Sequence, residues 1–264
     1  ALPAAPSSHH PALAAPSCCE NNHNNKGEQQ IVIIIFFCCF LFFKKKQLLI
    51  HLLLFVYWLG GDIGVFYSSG LSVNPKLSRD ARQMAGKIMM NLDLIPRLCL
   101  SLMLTVGGIL TEYYGIEHPM WQMVGIIMLG PVWFIALLYM HFNEGSDLVK
   151  QMTKIDYVFR WVMVLTLLAS VYYGFYTDRL DAEPWVGYKL VVFAGLIFCG
   201  IMIRKYIGGF IKGIHNIAID NINEADDIEM KASLDKARIF VLSIWVLLLV
   251  EAWIGIAKPG SMIS

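Results

Sequence analysis

The chain has 264 residues, of which 57% are hydrophobic and only 16% charged, with a formal net charge of +1. Soluble domains carry closer to about a quarter charged residues, so the balance argues against an ordinary soluble domain and for a polytopic membrane protein. No basic face points to nucleic acid, and the expected partner is the lipid bilayer.

Residues 1–47 differ from everything that follows. They begin with Ala, Pro and Ser, pass through an Asn-rich run with His23, and reach an apolar stretch, Ile31–Phe43, ahead of Lys44–Lys46. That stretch is too short for a span and suits a signal-peptide core. Its basic residues, however, follow the core instead of preceding it. Residues 1–47 are therefore expected to be a tail or targeting remnant, poorly ordered. The six cysteines show no CxxC or zinc-type spacing, and read as apolar filler.

Six spans are predicted, at about 48–69, 92–112, 120–142, 156–176, 185–207 and 238–257, each long enough to cross a bilayer. The expected fold is all-α, a polytopic membrane helical bundle in residues 48–260. The loops after the first, third and fifth spans hold nearly all the lysines and arginines. The two between them hold Glu112, Glu117, Asp178, Asp181 and Glu183. The positive-inside rule places the basic loops in the cytoplasm or its equivalent, for a multi-pass protein of a bacterial inner or organellar membrane. The segment 208–236 reads as a long polar connection. Asp93-x-x-x-Arg97 and Asp156-x-x-x-Arg160 open the second and fourth spans, and both spans run toward Tyr-Tyr-Gly. This echo suggests a duplicated helical hairpin.

Ionisable residues inside spans are costly and need a reason. His51 is in the first span, Lys189 in the fifth and Glu251 in the sixth. The alternating topology brings all three to the outer half of the membrane, with His118 and Met120 in the short loop above. Either each snorkels separately to the interface, or they form one site with a metal-competent histidine and a lysine–carboxylate pair. The two Asp-x-x-x-Arg pairs likewise have two readings. They are neutralised anchors at the interface, or Arg97 and Arg160 hold an anionic head group or a propionate. His141 ends the third span at the opposite side from His51, so the two cannot share a metal. The thirteen methionines invite copper(I), with Met120-x-x-Met123 and Met89-Met90 as the best clusters, but also serve as filler.

The pattern Leu-x-His51-x6-Trp58-x-Gly60-Gly61 resembles the first span of the CopD/HemJ-like superfamily of integral membrane proteins. Arg82-Gln-Met84 through Pro96, Trp185-x-x-x-Lys189-Leu190, and Arg238-Ile-Phe240 through Lys258-Pro259 resemble later parts of HemJ-type proteins, in the same order. The resemblance implies haem b as cofactor, bound through His51 with Trp58 beside it, and Lys189 as the second important polar residue; Glu251, which the topology puts at the same level, is the expected partner of Lys189. It also implies an oxidoreductase of the protoporphyrinogen oxidase type. Copper handling through His51, His118 and Met120 is the CopD-like alternative. A third expectation is an accessory role beside other membrane subunits or in a homo-oligomer. The chain departs from the HemJ-type pattern at Val241–Ile244, where Asn-Glu-x-Pro is replaced, and 208–236 has no counterpart there.

Overall fold

The structure is a computed structural model that describes residues 44–219 and 222–261. Among these, all regular structure is helical, in eight helices: α1 Lys44–Ser72, α2 Arg79–Leu92, α3 Leu94–Glu112, α4 Met120–Phe142, α5 Asp147–Tyr176, α6 Pro184–Tyr206, α7 Gly208–Ala218 and α8 Glu224–Ala257. Six helical stretches are long and apolar enough to cross a membrane, with α2 and α3 counting as one run. The protein is an all-α polytopic bundle, as the composition predicts. The expectation for residues 1–43 lies outside the described residues.

Helix ends differ from the predicted spans because an apolar run sets only the least length of a helix. Ser146 caps α5, its hydroxyl accepting from the Val149 amide, so that the helix starts at Asp147, nine residues before the predicted start at Asp156. Asn223 and Asp226 form a capping box that starts α8 within the predicted polar connection. Ser78 caps α2, which occupies the predicted basic loop after the first span. Lys44–Gln47 open α1 instead of belonging to the tail. At the other end of α8, Lys258 takes a left-handed conformation (φ 42°) and Pro259 stops the helix.

Antiparallel neighbours approach through small residues, as expected where lipid removes the hydrophobic drive between helices. A Cβ on Gly61 of α1 would come within 2.9 Å of Pro96 on α3, and one on Gly64 within 2.9 Å of Leu92. α3 packs in turn on α4, and α6 packs on both α5 and α8. The main core joins Trp58, Met103, Trp133, Leu167, Ile197 and Leu248.

Two hydroxyls enter helix backbones. Thr105 Oγ1 on α3 donates to Ile126 O at 2.7 Å and accepts from Gly130 N at 2.8 Å. These are the two groups that a regular α4 would pair, one residue before Pro131. Ser233 does the same at the break between α6 and α7, donating to Tyr206 O and accepting from Phe210 N at 3.1 Å.

The segment 208–236 is ordered helix. α7 and the first turns of α8 pack with α2 around Met89, Phe210, Ile214 and Met230, at the end of the bundle that carries the basic loops. Arg82 pairs with Asp227 there and donates from Nε to Ser72 O at 2.9 Å. The opposite, acidic end has its own small core of Ile116, Leu180, Trp185 and Ile254.

Candidate functional site

At the acidic end, three helices bring polar groups into the bundle and a fourth supplies a glycine. His51 is two turns into α1, Lys189 early in α6, Glu251 late in α8, and Gly107 lies in the last turns of α3. Lys189 Nζ is 3.6 Å from Glu251 Oε2, with side chains 24% and 10% exposed. That is close enough for an ion pair but longer than a hydrogen bond. The Lys189 ammonium is also within electrostatic reach of the His51 ring.

Two atoms stand out. His51 Nδ1 and Glu251 Oε1 are buried without a hydrogen-bond partner. Buried polar atoms are nearly always satisfied, and each orphan costs about 1–3 kcal/mol. The local backbone leaves room for these groups. The His51 ring lies over Gly107, where a Cβ would be 3.5 Å from Cε1. A Cβ on Gly255 would be only 3.2 Å from Lys189 Nζ.

The remaining predicted residues divide among other places. Trp58 is 3% exposed and packs edge-on to Phe193 at 6.3 Å, within the main core. Met120 is 80% exposed at the first residue of α4. His118 sits in the loop between α3 and α4 with both ring nitrogens engaged. Arg179 Nη2 is 2.9 Å from Nδ1, and Thr111 Oγ1 is 2.8 Å from Nε2. Arginine only donates, so Nδ1 accepts and the ring proton is on Nε2, donated to Thr111. Thr111 passes its own proton to Gly108 O at 2.7 Å. Burial, followed by the Arg179 charge, holds the His118 imidazole below its ordinary value of 6.5, against the opposing pull of Gln122 and Glu112. A metal could take His118 only by breaking this chain. Among the described residues no three His, Cys, Asp or Glu side chains gather as a metal site.

Arg97 and Arg160 lie at the basic end. Gly107 and Arg97 are ten residues apart on α3, about 15 Å along its axis. They therefore do not share a site with His51. Asp156 is the centre of their cluster. It accepts from Trp133 Nε1 at 2.8 Å, Arg160 Nε at 2.9 Å and Arg204 Nη1 at 2.6 Å. Arg97 pairs with Asp93 beside it.

Sequence reasoning missed Trp133 and Arg204, and left Asp62 unassigned. Trp133 had no signal beyond being aromatic. Arg204 counted only as a positive charge at the end of a span. Asp62 was the visible one: its Oδ2 is buried without a partner, in a stretch of α1 beside Trp58 and Cys99. No protein-family model, curated protein or solved structure matches the chain.

Proposed function

We propose that this chain is an integral membrane redox protein that holds haem b through His51 at the acidic end of the bundle. The observation that carries this reading is the orphaned, buried Nδ1 of His51 beside the Lys189–Glu251 pair. An unsatisfied imidazole within a membrane bundle is costly, and ligation is one way to recover that cost. The order of the HemJ-like motifs around His51 and Lys189 supports the same assignment. Gly107 and Gly255 leave the polar groups uncrowded.

Haem b, when bound, supplies one-electron chemistry, and the protein sets its ligand, polarity and access. The chain's own residues have distinct tasks. His51 would hold the haem iron through a ring nitrogen. Lys189 offers a positive charge to a carboxylate, whether that of Glu251 or of a porphyrin. Glu251 Oε1 has a free lone pair in a dry setting, and is the group able to take or hold a proton. Such a site belongs to a membrane oxidoreductase, and a porphyrinogen is the substrate class that the motif order suggests. The replacement at Val241–Ile244 marks where substrate recognition would depart from HemJ-type proteins. By the positive-inside rule this site faces away from the cytoplasm.

Copper is the weaker reading, because His118 is fully bonded and Met120 lies on the surface away from the bundle interior. The test is an absorption spectrum of the detergent-purified protein with metal analysis. A Soret band that His51→Ala removes, with the variant still folded, supports the proposal. Stoichiometric copper without haem replaces it with the copper reading. Neither chromophore nor metal, with co-purifying subunits, leaves an accessory role.

A further inference from the structure

The basic end contains a second cluster that the haem reading does not use. Four helices supply it: Arg97 from α3 with Asp93 at that helix's N-cap, Trp133 from α4, Asp156 and Arg160 from α5, and Arg204 from α6. Its charges are unevenly paired. Asp156 serves both Arg160 and Arg204, while Asp93 serves Arg97. Three guanidinium groups thus share two bonded carboxylates. Glu144, exposed in the loop after α4, is a further carboxylate within electrostatic reach of Arg97 but forms no ion pair with it among the described residues.

Arg160 is the group that calls for an explanation. Its side chain is 3% exposed, yet Nη2 has no hydrogen-bond partner. Trp133 covers the face of the guanidinium at 5.0 Å. A cation over an aromatic ring satisfies the face of the ion, but not an in-plane N–H. Arg97 and Arg204 lie within electrostatic reach of Arg160. They are less buried, with side chains 43% and 22% exposed. The cluster is therefore graded, with a closed floor at Arg160 and Trp133 and an opening at Arg97. Arg204 is close to the C-terminal end of α6, which puts that opening at the level of the membrane surface.

We infer that Arg97, Arg160 and Arg204 form a binding site for a phosphate-type oxyanion at the basic end of the bundle. Planar guanidinium groups match phosphate oxygens in paired hydrogen bonds. Basic pockets between transmembrane helices on the cytoplasmic side suit anionic lipid head groups. The anion satisfies the free Arg160 N–H and balances the third positive charge. It also ties α3 to α5 and α6, across a junction where few backbone contacts exist. The source is either the head group of an anionic lipid or a soluble phosphate. The site rests on no part of the haem assignment.

The test is thermal unfolding of the full chain, purified in a neutral maltoside detergent. Phosphatidylglycerol, phosphatidylcholine or inorganic phosphate is added separately. Near a hundredfold excess over Kd, the bound anion should raise the midpoint by roughly 5–10 °C. A rise with phosphatidylglycerol but not phosphatidylcholine identifies a lipid head group. The same rise with inorganic phosphate alone identifies a soluble anion. In either case Arg97→Gln, which removes a half-exposed side chain and leaves the buried floor intact, should abolish most of the shift. Arg160→Lys keeps the charge but loses the planar fork, and should reduce it as well. Equal shifts with both lipids, no shift with any addition, or a full shift retained in Arg97→Gln overturns the proposal.

Discussion

Replacing Lys189 with methionine tests whether the acidic-end pair is a coupled unit. The change keeps a long apolar stem and removes only the charge. At 3.6 Å and an effective dielectric of about 20, the attraction between the two ions is about 4–5 kcal/mol. Desolvation offsets much of this. The measurable quantity is instead the cost of leaving Glu251, 10% exposed, without its counter-ion, about 3 kcal/mol and at the low end for a broken buried pair. The low end applies because the contact is longer than a hydrogen bond and Lys189 is a quarter exposed. Glu251→Leu alone should cost somewhat less, because the stranded Lys189 is already a quarter exposed. The double variant, Lys189→Met with Glu251→Leu, should then be less destabilised than the sum by about 2 kcal/mol. The assay is denaturant unfolding in mild detergent for the four proteins of the cycle. Additive losses, with a coupling energy near zero, would refute the view that these residues act as one charge pair.

Three other outcomes follow from the structure. Thr105→Val should destabilise by about 1–3 kcal/mol, because it leaves Gly130 N and Ile126 O without the bridging hydroxyl, whereas Thr105→Ser should be close to wild type; equal unfolding midpoints for the two variants would sink that assignment. Asp156→Leu should cost about 3–5 kcal/mol, since it strands buried Arg160 and frees Arg204 and the Trp133 indole at once, and a loss under about 1 kcal/mol would show that the cluster is not held through Asp156. For His118 the folded imidazole titrates below 6.5, so between that lower value and 6.5 the unfolded chain binds a proton that the folded chain does not. Its contribution is therefore complete above about pH 6.5 and is lost as pH falls through the folded-state value. An NMR titration of the His118 Cε1 proton that gives a midpoint at or above 6.5 would contradict this.

The span count, the all-α class and the placing of ionisable groups by height along the bundle could all be read from the chain. Length and apolarity decide whether a segment can cross a bilayer, and alternation of spans decides which residues share an end. Alternation alone therefore puts His51, Lys189 and Glu251 at one end of the bundle and His141 at the other. The helix limits were not legible in the same way. Hydropathy reports where lipid is, not where a helix stops, so α5 and α8 run well beyond the apolar stretches. Their starts were written in Ser146 and Asn223, as caps inside segments read as loops. The polar segment 208–236 looked like a connection because its apolar residues are sparse. Once α2 and α8 lie alongside, those few residues, Phe210, Ile214 and Met230 among them, suffice for a core.

What the sequence determined alone is what depends on one helix at a time: hydrophobic length, end-to-end order and the sign of each loop. What only the tertiary structure decided depends on azimuth and partner. Height along a helix is fixed by residue number at a constant rise, but which neighbour a side chain meets depends on how the helices rotate and pack. For that reason Trp58 packs on Phe193 in the main core, and His118 is locked between Thr111 and Arg179. Arg97 and Arg160, which the sequence placed at one level, join through α6 to Arg204, a residue with no distinguishing mark in the sequence. His51 and Glu251 are left with buried atoms that nothing in the described bundle satisfies.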